Sequence, residues 1–193
     1  MEKSIFFIQK IINSKKLTRL ILAIKRLFLI IFHIFSEKVN IPENLRINGR
    51  VKLASSEFKP DEKLFRGFKK SDFENGHLKL ETIKFPDISC NWERFSNPTD
   101  IWYRKNGSFK DGCYSITVDD SRFEKIATPV HDPIFPTDDD ADENYSHTEI
   151  RVLGQGMSVF NEPEKNKKLS SKIKKLQYRQ HIQEIAKIEI KAL

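Results

Sequence analysis

The chain of 193 residues carries 34 Lys and Arg against 27 Asp and Glu, a formal net charge of +7, and 38% of it is hydrophobic. That length suits one domain with appendages. Its two cysteines, Cys90 and Cys113, are too few for a disulfide framework and have no CxxC spacing, and they fit a reducing compartment.

Charge is unevenly placed. Residues 1–36 carry a net +6 and residues 162–193 a net +5, while residues 37–161 carry a net −4. Basic ends seek polyanions, which means anionic lipid or nucleic acid. The composition therefore predicts a basic amphipathic segment over 1–38, an α+β domain over 39–161 and a basic C-terminal helix over 162–193.

The N-terminal stretch "LTRLILAIKRLFLIIFHIF", residues 17–35, has fourteen apolar residues in nineteen. Its exceptions (Thr18, Arg19, Lys25, Arg26 and His33) recur at seven-residue spacing, so a helix here has a narrow cationic stripe and a wide apolar face. A signal peptide is disfavoured because Lys25 and Arg26 interrupt the apolar core and no A-x-A follows. A transmembrane span is disfavoured by the same pair, which costs about 2.5–3.5 kcal/mol per residue at a bilayer centre. Two readings remain: an interfacial helix, and a helix packed in a core or an assembly. The first places Arg19, Lys25 and Arg26 at lipid head groups and Phe28 and Phe32 in the acyl boundary. The expected partner is an anionic membrane surface or another protein, and the expected location is the cytoplasm, peripheral on the inner membrane.

The centre reads as short elements with turn punctuation. "EKLFRGF" predicts a strand, and "NGH" at 75–77 a turn leading into the extended run "HLKLETIKF". "FSNPTDIWYRKNG" predicts a short helix, with Pro98 in its first turn and Gly107 past its end. Pro129, Pro133 and Pro136 make 129–136 an extended, rigid loop. "GCYSITV" and "HTEIRVL" alternate as strands, the latter with Thr148, Ile150 and Val152 facing one way and His147, Glu149 and Arg151 the other. The C-terminal run, with apolar residues from Leu169 to Ile188 at helical spacing, predicts one long helix. The fold expected is α+β: a small, mainly antiparallel sheet with an N-terminal amphipathic helix and a long C-terminal helix.

Three sets of residues suggest chemistry. His147 and Glu149 share a strand face, and His131 and Asp132 in the proline-rich loop can approach them, a set able to hold a divalent metal that activates water. The plainer alternative leaves His147, Glu149 and Arg151 on the solvent face of a half-buried sheet. Arg66, on a strand beside apolar neighbours, needs a buried acceptor such as Glu149. Arg66 early, Glu149 late and Ser89 between them also loosely match the strand-borne residues of ADP-ribosyltransferases, although that family's Ser-x-Ser and E-x-E are absent. The function expected first is that of an accessory protein docked to the membrane or to an assembly through the N-terminal helix, with no activity assigned. The alternatives are a small hydrolase or ADP-ribosyltransferase-like enzyme using Arg66, His131, His147 and Glu149, and a nucleic-acid-binding module using the C-terminal helix. The third set is basic: Lys168, Lys172, Lys175 and Arg179 can meet nucleic-acid phosphates, with Tyr178 and His181 for stacking. The acidic run "TDDDADEN" lacks the D-x-D-x-D-G alternation of a calcium loop and reads as solvated surface.

Over residues 62–153 the chain resembles small bacterial proteins that share a D-x-S-x-x-W … S-x-P run and an H-D-P … N-x-x-H run. Here these are Asp87, Ser89 and Trp92, then Ser96 and Pro98, then His131, Asp132 and Pro133, then Asn144 and His147. The resemblance implies a domain boundary and a bacterial, intracellular origin. It implies no activity and no cofactor.

Overall fold

The computed structural model describes residues 42–102, 111–135 and 143–190. The amphipathic segment with Arg19, Lys25, Arg26, Phe28 and Phe32 lies outside the described residues, as does most of "TDDDADEN". The described residues all belong to one compact unit, residues 41–193.

Among them, eight strands and two α-helices are formed: β1 (Lys63–Phe68), β2 (Phe73–Glu74), β3 (His77–Leu78), β4 (Ile88–Trp92), β5 (Gly112–Thr117), α1 (Val118–Ser121), β6 (Ala127–His131), β7 (His147–Val152), α2 (Lys172–Ile185) and β8 (Lys187–Ile190). Six strands make one antiparallel sheet in the order β6-β7-β4-β1-β5-β8, and β2 and β3 form a separate hairpin. The hairpin turns through Asn75 and Gly76 at φ of 51° and 82°, the left-handed pair that a two-residue turn demands. The class is α+β, mainly antiparallel, with a C-terminal helix. No helix among the described residues is long and apolar enough to cross a membrane.

Strand alternation decides which side chains meet. Register pairs Ile88 with Ile150, Cys90 with Thr148 and Leu64 with both Trp92 and Ile116, so these residues share the core face. Tyr178 and Ile182 of α2 are fully buried in the same core. Tyr178 stacks on Phe85 at 4.5 Å, and its hydroxyl donates to the Ser121 carbonyl at 2.7 Å. Trp92 stacks on Phe58 at 3.9 Å, and its indole N–H donates to Glu62 at 2.9 Å. Its polar handle is therefore satisfied inside the core. Ser171 starts α2 by accepting the Lys174 N–H.

Several elements differ from the sequence expectation. The stretch 129–136 is not all loop, because Pro129 lies within β6. Proline is tolerated there because β6 is an edge strand, where a missing donor costs no ladder bond. The C-terminal helix ends at Ile185, and "KIEI" becomes edge strand β8. Its apolar residues alternate at period two, and Glu189 is tied down by Ser115 at 2.7 Å and Lys63 at 2.9 Å. Only His77 and Leu78 of "HLKLETIKF" are strand, with a 3-10 turn at Leu80–Thr82. The helix expected after Ser96 is a 3-10 turn, Pro98–Trp102.

Candidate functional site

The second face of the sheet holds the chemistry. Ser89 pairs with Glu149, and Asn91 with His147, across β4 and β7. These four side chains and Arg151 therefore project from the face opposite the core. That face was expected to meet solvent, but His147, Glu149 and Arg151 are 8%, 6% and 6% exposed. Segments distant in sequence cover them, notably the loop carrying Lys165.

His147 is held from both sides. Its Nδ1 lies 2.6 Å from the Asp132 carbonyl oxygen, which only accepts, so Nδ1 carries the proton. Its Nε2 then accepts from the Ser89 hydroxyl at 2.7 Å. The Asp132 N–H donates back to the His147 carbonyl at 3.0 Å, fixing the end of β6 against β7. Burial of the ring holds the His147 pKa below the ordinary histidine value, against the opposing pull of the Asp132 carbonyl and the neighbouring carboxylates. Ser89 itself is exposed. An accessible hydroxyl thus rests on a buried neutral imidazole whose far nitrogen is anchored.

Next to this pair lies a network of two carboxylates and two cations. Arg151 donates to Glu149 Oε2 from Nε at 3.0 Å and from Nη2 at 2.9 Å. Its Nη2 also lies 2.9 Å from Asp132 Oδ2. Lys165 bridges the same carboxylates, at 2.8 Å from Glu149 Oε1 and 3.2 Å from Asp132 Oδ2. Burial works to raise the Asp132 carboxyl, but Arg151 and Lys165 outweigh it and hold that carboxyl below the ordinary value. The bond to Glu149 chiefly, and that to Asp132, raise Lys165. Asp87, at φ 62°, accepts the Asn166 N–H at 2.9 Å, while its buried Oδ1 has no partner and burial raises its carboxyl.

Ligand atoms of Asp132, His147 and Glu149 lie within 4.8 Å of one another, the spacing of a metal site. Their bonding does not suit one. The ammonium of Lys165 and the guanidinium of Arg151 already neutralise both carboxylates, and the one His147 nitrogen able to ligate is on Ser89.

The four residues expected to form an active site do not converge. His147 and Glu149 are neighbours. His131 pairs with Thr148, so it faces the core, where it is fully buried. Its Nδ1 accepts the Leu53 N–H at 2.9 Å, its Nε2 donates to the Tyr145 carbonyl at 2.6 Å, and it packs edge-on to Trp92. It is a core histidine with no free nitrogen. Arg66 pairs with Tyr114 and also lies on the core face. It does not reach Glu149; its Nη1 donates to the Ser89 carbonyl at 2.8 Å. The strands of Arg66, Ser89 and Glu149 are adjacent, as the ADP-ribosyltransferase analogy asks, but Arg66 is on the wrong side and Glu149 is locked in ion pairs. Asp132, one residue beyond His131, is the member of that dipeptide that reaches the site.

The basic set falls on and before α2. Lys172, Lys175 and Arg179 follow at i, i+3 and i+7 along one stripe, with Lys168 just upstream. The expected stacking residues are unavailable: Tyr178 is fully buried, and His181 is stacked on Phe123 at 4.1 Å. Sequence reasoning assigned Ser89 only by analogy and counted Lys165 only among the basic residues of the C-terminal segment. The alternation of Ser89 and Asn91 with Ile88, Cys90 and Trp92 is the signal that marks both polar residues as one strand face. Nothing local marks Lys165.

In comparisons, no family model, no curated protein and no solved structure matches this chain.

Proposed function

We propose that this protein is a small serine-dependent hydrolase or acyl transferase in which Ser89 is the nucleophile and His147 the general base. The observation that carries the reading is the chain of bonds from Ser89 Oγ to His147 Nε2, at 2.7 Å, and from His147 Nδ1 to the Asp132 carbonyl, at 2.6 Å. Nucleophile, base and orienting acceptor stand in the order that acyl transfer needs, with a backbone carbonyl in place of a carboxylate. Burial supports the role, because a lowered histidine pKa keeps the ring in its proton-accepting form at neutral pH.

The reaction runs in two halves. Ser89 Oγ attacks the carbonyl carbon of an ester as its proton passes to His147 Nε2. The resulting imidazolium is stabilised by the Asp132 carbonyl on Nδ1. It then gives that proton to the departing alkoxide, leaving the acyl group on Ser89. Water, deprotonated by His147, releases the acid and restores the hydroxyl. Arg151 and Lys165 fix the two carboxylates, and Glu149 acts here as a positioning residue.

Hydrolysis of p-nitrophenyl acetate tests the proposal. Ser89→Ala and His147→Ala are expected to lower kcat/KM by about a thousandfold or more, with the circular dichroism of Ser89→Ala unchanged. Turnover by Ser89→Ala equal to that of the parent protein contradicts it.

A further inference from the structure

On the opposite side of the sheet from Ser89, pairing between β1 and β4 stops at Phe65 and Asn91. Beyond that point no ladder bond takes the Ser89 carbonyl, and the Arg66 guanidinium takes it instead. Beside Arg66 opens a cavity of about 340 Å³, walled by the end of β1, the β2–β3 hairpin side and the turn over residues 80–84. Its volume is near the low end of small-molecule sites, too small for a polymer.

The lining is selective in its charge. Arg66, Lys69 and Lys84 contribute three cations, Asp72 and Glu81 two carboxylates. Asp72 is already engaged, accepting the Lys69 N–H at 2.8 Å. Elsewhere Lys52, Lys63, Arg94, Arg151 and Lys165 each stand within bridging distance of a carboxylate. Arg66, Lys69 and Lys84 have no such carboxylate among the described residues, although Asp72 and Glu81 line the same cavity. Arg66 is half-buried, and of its five N–H donors the Ser89 carbonyl takes one. A half-buried guanidinium with spare donors favours a planar or tetrahedral oxyanion, which it can grip with two bonds.

We propose that this cavity binds a phosphate monoester of sugar size, with the phosphate on Arg66 and Lys84 and its hydroxyls donating to Glu81. Lys69 adds charge at the rim. The site is independent of the reaction at Ser89, since the phosphate sits on the core side of β1, and Ser89 Oγ points from the other face.

Calorimetric titration of the full chain with ribose 5-phosphate, ribose and inorganic phosphate at low salt tests the proposal. Saturable binding of ribose 5-phosphate and of inorganic phosphate, without binding of ribose, is expected. Arg66→Gln is expected to weaken both by about tenfold or more, and Lys84→Gln by about three- to tenfold. Lys84 is exposed, so its replacement reports on the site even if Arg66→Gln disturbs the sheet. Lys79→Gln, at another cavity, and Ser89→Ala are expected to bind as the parent protein does. No saturable binding of either anion up to about 10 mM, where even weak ligands register, overturns the proposal. An equal loss in Lys79→Gln does the same, because the affinity would then follow general surface charge.

Discussion

Replacing Glu149 by alanine probes the site most severely. Glu149 and Arg151 are each more than nine-tenths buried, and Glu149 Oε2 accepts two of the Arg151 N–H groups while Oε1 holds Lys165. Deleting the carboxylate strands a buried guanidinium, a loss that typically costs about 3–5 kcal/mol. Asp132 remains 2.9 Å from Arg151 Nη2, so the lower end applies and about 3 kcal/mol is expected. For a domain of this size that corresponds to a fall in Tm of about 6–12 °C. The double variant Glu149→Met/Arg151→Met removes both charges, and its cost is expected to be about 1–2 kcal/mol smaller than that of Glu149→Ala alone. Urea unfolding followed by circular dichroism reads both. A cost under about 1 kcal/mol for Glu149→Ala, the level of an exposed pair, refutes the assignment of Glu149 to a buried network.

Two pH dependences follow from the histidines. Because His147 must be neutral to accept the Ser89 proton, and burial holds its pKa below the usual value, the acid limb of the kcat/KM profile is expected below about pH 6.5; a midpoint above 7 contradicts that base. Burial likewise lowers His131, and its Nδ1 already accepts from Leu53. The folded state therefore binds fewer protons than the unfolded chain, so stability is full above about pH 6.5 and falls below it, by at most about 1.4 kcal/mol per pH unit for each histidine. Urea midpoints measured between pH 7.5 and 5 check this, and His131→Gln is expected to flatten the slope. An unchanged slope in that variant places the titration elsewhere.

Much of the sheet is legible in the chain because period-two alternation survives wherever one face packs on the core. β5 and β7 announce themselves this way, and β1 by its run of bulky residues. β6 does not, since proline reads as a loop signal until its edge position is known. β8 hides because Ile182, Ile185 and Ile188 continue a helical spacing through the end of α2. The site is legible in part. The spacing of His147 and Glu149 places them on one face, but their burial depends on Lys165 and on Ser89, 58 positions from His147. The His131–Asp132 dipeptide shows the limit most clearly: a one-residue difference in register sends one side chain into the core and the other to the site. Only the observed pairing of His131 with Thr148 decides which.

Treatment of the full chain with an alkyl fluorophosphonate, followed by peptide mass spectrometry, tests the activated serine most directly. A single phosphonyl adduct on Ser89 is expected, formed with loss of fluoride and abolished in His147→Ala. An unlabelled Ser89 in the folded parent protein, or equal labelling in His147→Ala, contradicts the account.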